Sequence, residues 1–434
     1  MRHANLKIAA AVAVAIGGHT LAQAAPTVAA CAGAAAKLYI AGSSAAQNAF
    51  GVALANDLFD AGGETTISAT NGNFKAYCGA AKAGNGAGLA TGTITTVYYR
   101  GEGGSVVGAL PIVSGKSVKM LDIAPVGCQI AAPATTGTSA TVGTTDGWGG
   151  CVTNHAVEMG ITDLEPTVFI DPNYPRDYCT TVFGTATKAQ LGNLTITPLF
   201  QQVFALYVNT SGINGGATGQ AINLTRQTAA AILSGSYSDW SFVPSASGGA
   251  VSSTSQAITI VNREEGSGTR TGATIYFLGT NCHTVPATLF DPGPDGFATG
   301  DVLATAAATP GAITYASIDN NNASLSKASL SGVAPSNLAA TNGQYDWWFE
   351  ATAQKGTITS PNGTAIYNFL VGGELQALAT APHTAQVNAI PFALPTVNTS
   401  PTVPVTSNTN GSGTIYLSPF SKNGNSCTVA TEFN

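Results

Sequence analysis

Charged side chains are scarce. Asp, Glu, Lys and Arg make up only 9% of the 434 residues, against roughly 25% in ordinary globular proteins. The formal net charge is -6 and no basic run occurs. That excludes the electrostatic footprint of a nucleic-acid binder. Long apolar runs are also missing. The longest, Ile8 to Ile16, is too short to span a bilayer. The five histidines offer no nucleophile–His–Asp set, and no C-x-x-C or Cys/His cluster suggests zinc. No Gly-Lys-Ser/Thr follows a glycine turn, so there is no P-loop. No repeat period is visible. The expectation is a chain with no catalytic residues, no metal and no cofactor.

What is plentiful is Gly, Ala, Ser and Thr, a composition suited to a secreted, loop-rich protein with a neutral polar surface. Met1 to Ala24 reads as a signal peptide: Arg2 and Lys7 at the start, a short apolar core, and Ala22-Gln23-Ala24 as the cleavage site. Periplasmic or secreted localisation follows. Loss of Arg2 and Lys7 leaves 14 basic residues against 22 acidic ones. An anion ligand would have to be attracted locally, not by the global field. The seven cysteines are Cys31, Cys78, Cys128, Cys151, Cys179, Cys282 and Cys427. Export favours disulfides, and the odd number leaves one unpaired or modified. Val28-Ala29-Ala30-Cys31 loosely resembles a lipidation box, but Ala24 is the better-placed cleavage site. The length suggests about two domains.

The informative stretch is Ile258 to Leu278, ITIVNREEGSGTRTGATIYFL. Ile258, Ile260 and Val261 form a β-branched strand. Gly266 and Gly268 punctuate a tight turn, and Thr269 onward opens a helix. A helix N-terminus exposes unpaired N–H groups and partial positive charge, and glycines with small hydroxyls let an anion approach them. Arg263 can fork onto two oxygens of one oxyanion, with Glu265 accepting from it and holding it. The bland alternative is a glycine-rich turn with one surface ion pair.

Arg263-Glu264-Glu265-Gly266-Ser267-Gly268-Thr269 resembles the signature of the periplasmic phosphate-binding proteins of phosphate ABC transporters, with Glu265 where that family usually has aspartate. The resemblance implies a two-lobed α/β fold of the type II periplasmic-binding-protein kind, mixed sheets flanked by helices, with the ligand in a cleft between lobes. Other segments agree in order. Strand, Gly42-Ser43-Ser44-Ala45, helix resembles the family's first ligand-contacting turn, with Ser44 and Ala45 in the places of its Thr-Phe pair. Phe50, Leu54 and Leu58 lie on one face of the helix, which Gly62-Gly63 would end. Thr95 to Arg100 is a strand, and Ser105 matches the Gly-Ser turn after it. Arg100 reads as a solvated charge. Ile161-Thr162-Asp163 resembles the turn whose aspartate contacts the ligand. Asp163 as a helix N-cap, with Pro166 in the first turn, is the plain alternative.

Val203 to Val208 resembles the strand that leaves the first lobe. Asn223 to Trp240, capped by Thr225 and ended by Gly235, resembles a packing helix of the second. Pro310 to Ala316 resembles the return crossing. Tyr345, Trp347, Trp348 and Phe349 read as core before they read as a sugar platform. The expected layout is a signal peptide over 1–24, a first lobe over 25–205 plus 317–434, and a second over 206–316. The first lobe includes an insertion at 114–154, closed by a Cys128–Cys151 bridge, and a Pro/Thr/Ser-rich tail stapled by Cys427. Thr364 to Thr380 reads as a last amphipathic helix.

The resemblance implies an oxyanion-binding protein, for phosphate before other anions. Ser44, Ala45, Ser105 and Asp163 would bind from the first lobe. Arg263, Ser267, Gly268 and Thr269 would bind from the second, with Glu265 orienting Arg263. An ABC transporter permease is the implied partner. Two other readings stand beside it: a secreted structural or adhesive protein that kept the fold without the ligand, and a secreted phosphatase on the same scaffold.

Overall fold

The computed structural model describes residues 25–69, 72–125, 128, 138–142, 151–169, 186–215, 220–278, 295–374, 405–407, 414–416, 418 and 420–432. The proposed signal peptide lies outside the described residues, as do Cys179 and Cys282.

The fold is α/β and organised on one mixed sheet of eleven strands. From one edge the order is Thr259–Ile260, Ala312–Ser317, Ile196–Val208, Trp348–Lys355, Met159–Thr162, Ala36–Gly42, Ile94–Arg100, Phe74–Ala81, Phe59–Ala69 and Thr138–Val142. Ser326–Lys327 pairs with Ile196–Val208 off this path. The antiparallel pair Ile196–Val208 and Trp348–Lys355 stands third and fourth in this order, with a register shift between Ala351 and Thr352. Ile196–Val208 is buried from Leu199 onward. A strand covered on both faces reads as a continuous apolar run, which is why its sequence is LFQQVFALYV and not alternating. Gln201 and Gln202 are buried within that run.

Helices pack on both sides. Phe50, Leu54 and Leu58 are fully buried, as their spacing predicts. The helix is shorter than expected: Gln47–Ala53 passes into one π turn, Leu54–Leu58. Gly62 and Gly63 do not end it. They lie inside the Phe59–Ala69 strand, where the register slips between Phe59 and Glu64. Gly62 adopts φ 68 there, the left-handed conformation that a bulge needs and glycine supplies. Thr225 caps Arg226–Leu233 through the Thr228 N–H, and Gly235 at φ 77 follows its end. The last helix, Pro361–Phe369, passes into a π turn at Leu370–Glu374; the expected continuation to Thr380 falls outside the described residues.

The 114–154 excursion is stitched into the fold. Ser117–Leu121 pairs antiparallel with Val152–Ala156, and Thr138–Val142 extends the main sheet alongside Phe59–Ala69. The Cys128–Cys151 disulfide closes it, as expected. Cys31 bonds Cys78, so its sulfur is not available for a lipid thioether. Cys427 is also disulfide-bonded. Tyr345, Trp347, Trp348 and Phe349 are all buried, as core packing requires. Arg100 corrects the sequence reading: it is 1% exposed and not solvated. Its Nε donates to the Glu102 carbonyl at 3.1 Å and its Nη1 to the Lys119 carbonyl at 3.1 Å. An ion pair to Glu102 at 3.5 Å completes its role as a structural cation. No helix of the described residues is long and apolar enough to cross a membrane.

Candidate functional site

Four turns meet at one buried point. The first follows the Ala36–Gly42 strand. Gly42 has φ 133, and a Cβ there would sit 1.9 Å from the Ile161 carbonyl oxygen, so only glycine lets these neighbouring strands end side by side. Ser43 and Ser44 follow. The second turn is Gly101–Ser105, leading into the Val106–Ser114 helix. The third is Asp163, directly after the Met159–Thr162 strand. The fourth is the Glu264–Ser267 turn, from which the Gly268–Leu278 helix departs. Gly266 at φ 86 makes that turn possible. The Val106 N–H donates to the Gly266 carbonyl at 3.1 Å, tying the second turn to the fourth.

Asp163 is the hub. Its carboxylate is 2% exposed and accepts hydroxyls from three turns. Ser43 donates to Oδ1 in a short hydrogen bond, Ser105 to Oδ2 at 3.2 Å and Thr269 to Oδ2 at 3.3 Å. Its own N–H donates to Ser105 Oγ at 3.0 Å. Burial raises its pKa, while the Ser43 hydrogen bond and the Arg263 charge oppose the shift. Asp163 caps no helix. Glu165 precedes the short 3-10 turn Pro166–Val168, and its carboxylate accepts from Ser426 instead. Gly268 explains the spacing of the socket: a Cβ there would lie 2.3 Å from Ser105 Oγ and 2.6 Å from Asp163 Oδ2.

Arg263 is 1% exposed. Its Nη1 donates to Thr299 Oγ1 at 3.2 Å, and its Nε is buried with no acceptor among the described residues. Thr299 in turn shares a 2.8 Å hydrogen bond with Ser44 Oγ, which also accepts the Thr299 N–H at 3.2 Å. Among the described residues no carboxylate forms an ion pair with Arg263. Burial lowers its pKa, opposed first by Glu264 and then by Asp163. Nor do the N–H groups of Ser44, Ala45, Gly268 or Thr269 donate a hydrogen bond among the described residues. Buried cationic and N–H donors without acceptors are costly, and together they define a place for an anion.

The structure thus gathers Ser44, Ser105, Asp163, Arg263, Gly268 and Thr269. Ala45 is buried beside Ser44 and contributes only its N–H. Ser267 Oγ is engaged elsewhere, accepting the Arg270 N–H at 3.3 Å as a helix cap. Glu265 corrects the sequence reading: among the described residues it makes no hydrogen bond or ion pair with Arg263. The acid that acts most on Arg263 is its chain neighbour, Glu264, whose Oε1 is buried without a hydrogen-bond partner among the described residues. Burial pushes the Glu264 carboxyl up to about 8, with the Arg263 charge opposing. At neutral pH Glu264 is therefore mostly uncharged and does not cancel Arg263. Ser43 and Thr299 were missed by the sequence reading. Ser43 stands in the Gly-Ser-Ser turn already singled out. Thr299 opens the Thr299–Ala308 helix, where the Asp301 carboxylate accepts the Ala298 N–H at 2.9 Å; Thr-x-Asp at a helix start was the available signal. Among the described residues no group of three or more His, Cys, Asp or Glu is placed to hold a metal.

Residues 186–367 match the family model of a PBP superfamily domain. Over that span the chain is similar to a PBP superfamily domain. The matched span holds the Arg226–Leu233 helix, the socket turn and the Ala312–Ser317 strand, three of the segments on which the sequence resemblance rests. No curated protein matches the chain. Solved structures similar to it include a chain assigned as a phosphate ABC transporter substrate-binding protein, with bound phosphate, from Clostridium perfringens. It shows 15% identity over 82% of this chain and 99% of that one, TM-score 0.48. An ABC-type phosphate transport receptor from Vibrio cholerae shows 15% identity over 77% and 93%, TM-score 0.40. A phosphate-binding protein from Stenotrophomonas maltophilia shows 12% identity over 77% and 83%, TM-score 0.42. Arg263 and Thr299 of the site stand within the matched span; Ser43, Ser105 and Asp163 come from outside it.

Proposed function

We propose that this chain is an exported solute-binding protein that captures a tetrahedral oxyanion, phosphate before others, and delivers it to an ABC transporter permease. The observation that carries the reading is Arg263: a buried guanidinium whose Nε has no acceptor among the described residues and whose Nη1 reaches only the Thr299 hydroxyl. A neutral Glu264 leaves its charge available. The first lobe, 25–205 with 317–434, supplies Ser44, Ala45, Ser105 and Asp163. The second, 206–316, supplies Arg263, Gly268, Thr269 and Thr299. Contacts between these segments keep water from the site: Ser44 to Thr299, Val106 to Gly266, the Gly103 N–H to the Phe297 carbonyl at 3.2 Å, and Asn73 to Asp301 at 3.4 Å. Closure around a ligand between lobes is the mode this arrangement serves.

The test is calorimetric titration with phosphate of the wild type and of Arg263→Lys. Lysine keeps the charge and loses the fork, so affinity should fall by about 2 kcal/mol or more. Equal phosphate affinity in the two proteins, or no binding by the wild type, defeats the proposal. A phosphate-ester turnover assay on the same preparation should show none.

A further inference from the structure

A second cavity lies at the other end of the socket helix. Tyr276 is seven residues beyond Thr269, about 10 Å along the helix axis. It helps to line a cavity of about 390 Å³, within the size range of small-molecule sites. Tyr276, Trp348, Phe349 and Phe420 give aromatic walls, and Arg226, Asp346 and Lys422 give charge. One side is closed by the C-terminal segment, which two buried carboxylates hold in place. Glu350 accepts the Lys422 N–H at 2.7 Å, the Ser421 hydroxyl at 2.7 Å and the Gly424 N–H at 3.0 Å. Glu165 accepts the Ser426 N–H at 3.0 Å and its hydroxyl at 2.5 Å.

Lys422 is the unexplained group. It is 8% exposed, yet its ammonium forms no ion pair and donates no hydrogen bond among the described residues. It sits 4.3 Å from the Phe349 ring centre and 5.1 Å from that of Trp348. Cation–π attraction offsets part of the desolvation cost but leaves its N–H donors without acceptors. Glu350 and Glu165, the nearby acids, are already filled by donors from the C-terminal segment. Burial lowers the Lys422 pKa to about 8, so the group is still mainly charged at neutral pH. Arg226 lies 4.3 Å over the Tyr276 ring, exposed and without an ion pair among the described residues. Asp346 accepts a short hydrogen bond from the Tyr276 hydroxyl. Two cations therefore face one carboxylate across an aromatic cavity.

We infer that this cavity is a second ligand site, for a small organic carboxylate with a flat apolar body. The carboxylate would accept from Lys422 Nζ and Arg226, and the body would lie against Trp348, Phe349 and Phe420. Lys422 and Arg226 outnumber the one carboxylate in the lining, Asp346, while Glu350 and Glu165 are already filled by donors of the C-terminal segment; ring walls suit a flat hydrocarbon better than a bare inorganic ion.

The test is calorimetric titration of the full chain with 2-naphthoate and with its neutral analogue, 2-naphthalenemethanol. The acid should bind at least about tenfold more tightly than the alcohol. Lys422→Met should remove most of that preference, Arg226→Gln part of it, and neither should change affinity for the alcohol. Saturating inorganic phosphate should not displace naphthoate. Equal affinity for acid and alcohol, no binding of either at millimolar concentration, or displacement by phosphate would overturn the inference. If Lys422→Met does not fold, the acid–alcohol comparison in wild type and the exposed Arg226→Gln variant still decide it.

Discussion

Ser44 and Thr299, 255 residues apart in sequence, share a 2.8 Å hydroxyl–hydroxyl hydrogen bond, and Thr299 also accepts from Arg263. This pair links the turn after the first strand to the guanidinium of the socket. It aligns the two hydroxyls with the cation, so each can reorient toward the proposed oxyanion.

The tight approach of Gly268 to Ser105 and Asp163 leads to one expectation. Gly268→Ala places a methyl 2.3 Å from Ser105 Oγ and 2.6 Å from Asp163 Oδ2. Overpacking of this kind costs about 1–3 kcal/mol. Here it also forces the second and fourth turns apart. Phosphate affinity should drop by about tenfold or more, the equivalent of about 1.4 kcal/mol. Titration calorimetry reads the affinity and a thermal melt reads the stability. A variant that binds as wild type does would show that the turns need not approach so closely.

On the proposed phosphate reading, Asp163 supplies the selectivity. A carboxylate in a dry cleft accepts a hydrogen bond from a protonated phosphate oxygen. It meets only lone pairs and like charge on sulfate, a penalty of several kcal/mol when water is excluded. Rejecting the isostere by repulsion is a general device. Three hydroxyls already occupy the Asp163 carboxylate, and a carboxylate has about four acceptor positions, so one remains for the ligand. Phosphate should bind with little sulfate binding, and Asp163→Asn should narrow the gap. An unchanged phosphate-to-sulfate ratio in the variant would reduce Asp163 to the structural hub described above.

Glu264 predicts a pH dependence of stability. Its carboxyl is raised by burial from 4.5 to about 8. A raised acid is favoured in its protonated form by folding, so its contribution is fully present below the unfolded value, near pH 4.5. It is lost as pH rises through the folded value, near 8. Glu264→Gln mimics the neutral form at every pH. The variant should match wild type near pH 5 and melt at a higher temperature than wild type at pH 9, both without phosphate. A melting difference that is constant from pH 5 to pH 9 would mean that Glu264 ionises normally.

Local sequence determined a good deal. The β-branched run and glycines of Ile258 to Leu278 mark strand, turn and helix, but the strand is split: Thr259–Ile260 joins the main sheet, and Asn262–Arg263 pairs instead with Asp295–Gly296. The Phe50, Leu54, Leu58 spacing placed a buried face, and Thr225 capped its helix. Candidate residues Ser44, Ser105, Asp163, Arg263, Gly268 and Thr269 were legible because each sits in a short turn with recognisable chemistry. Tertiary structure decided what such turns cannot encode alone. Glu264 and Glu265 are both acids beside Arg263 in sequence; only packing determines that Glu264 loses its water and couples to the arginine. Arg100 looks like a surface charge until the Lys119 carbonyl and Glu102 close over it. Thr299 reaches Ser44 only because the main sheet brings distant turns to one edge. The cavity around Lys422 exists because Glu165 and Glu350 hold the C-terminal segment against the sheet. Turn conformation depends on neighbouring residues and is written locally, whereas burial and charge pairing depend on which distant atoms displace water, and the three-dimensional fold alone fixes that.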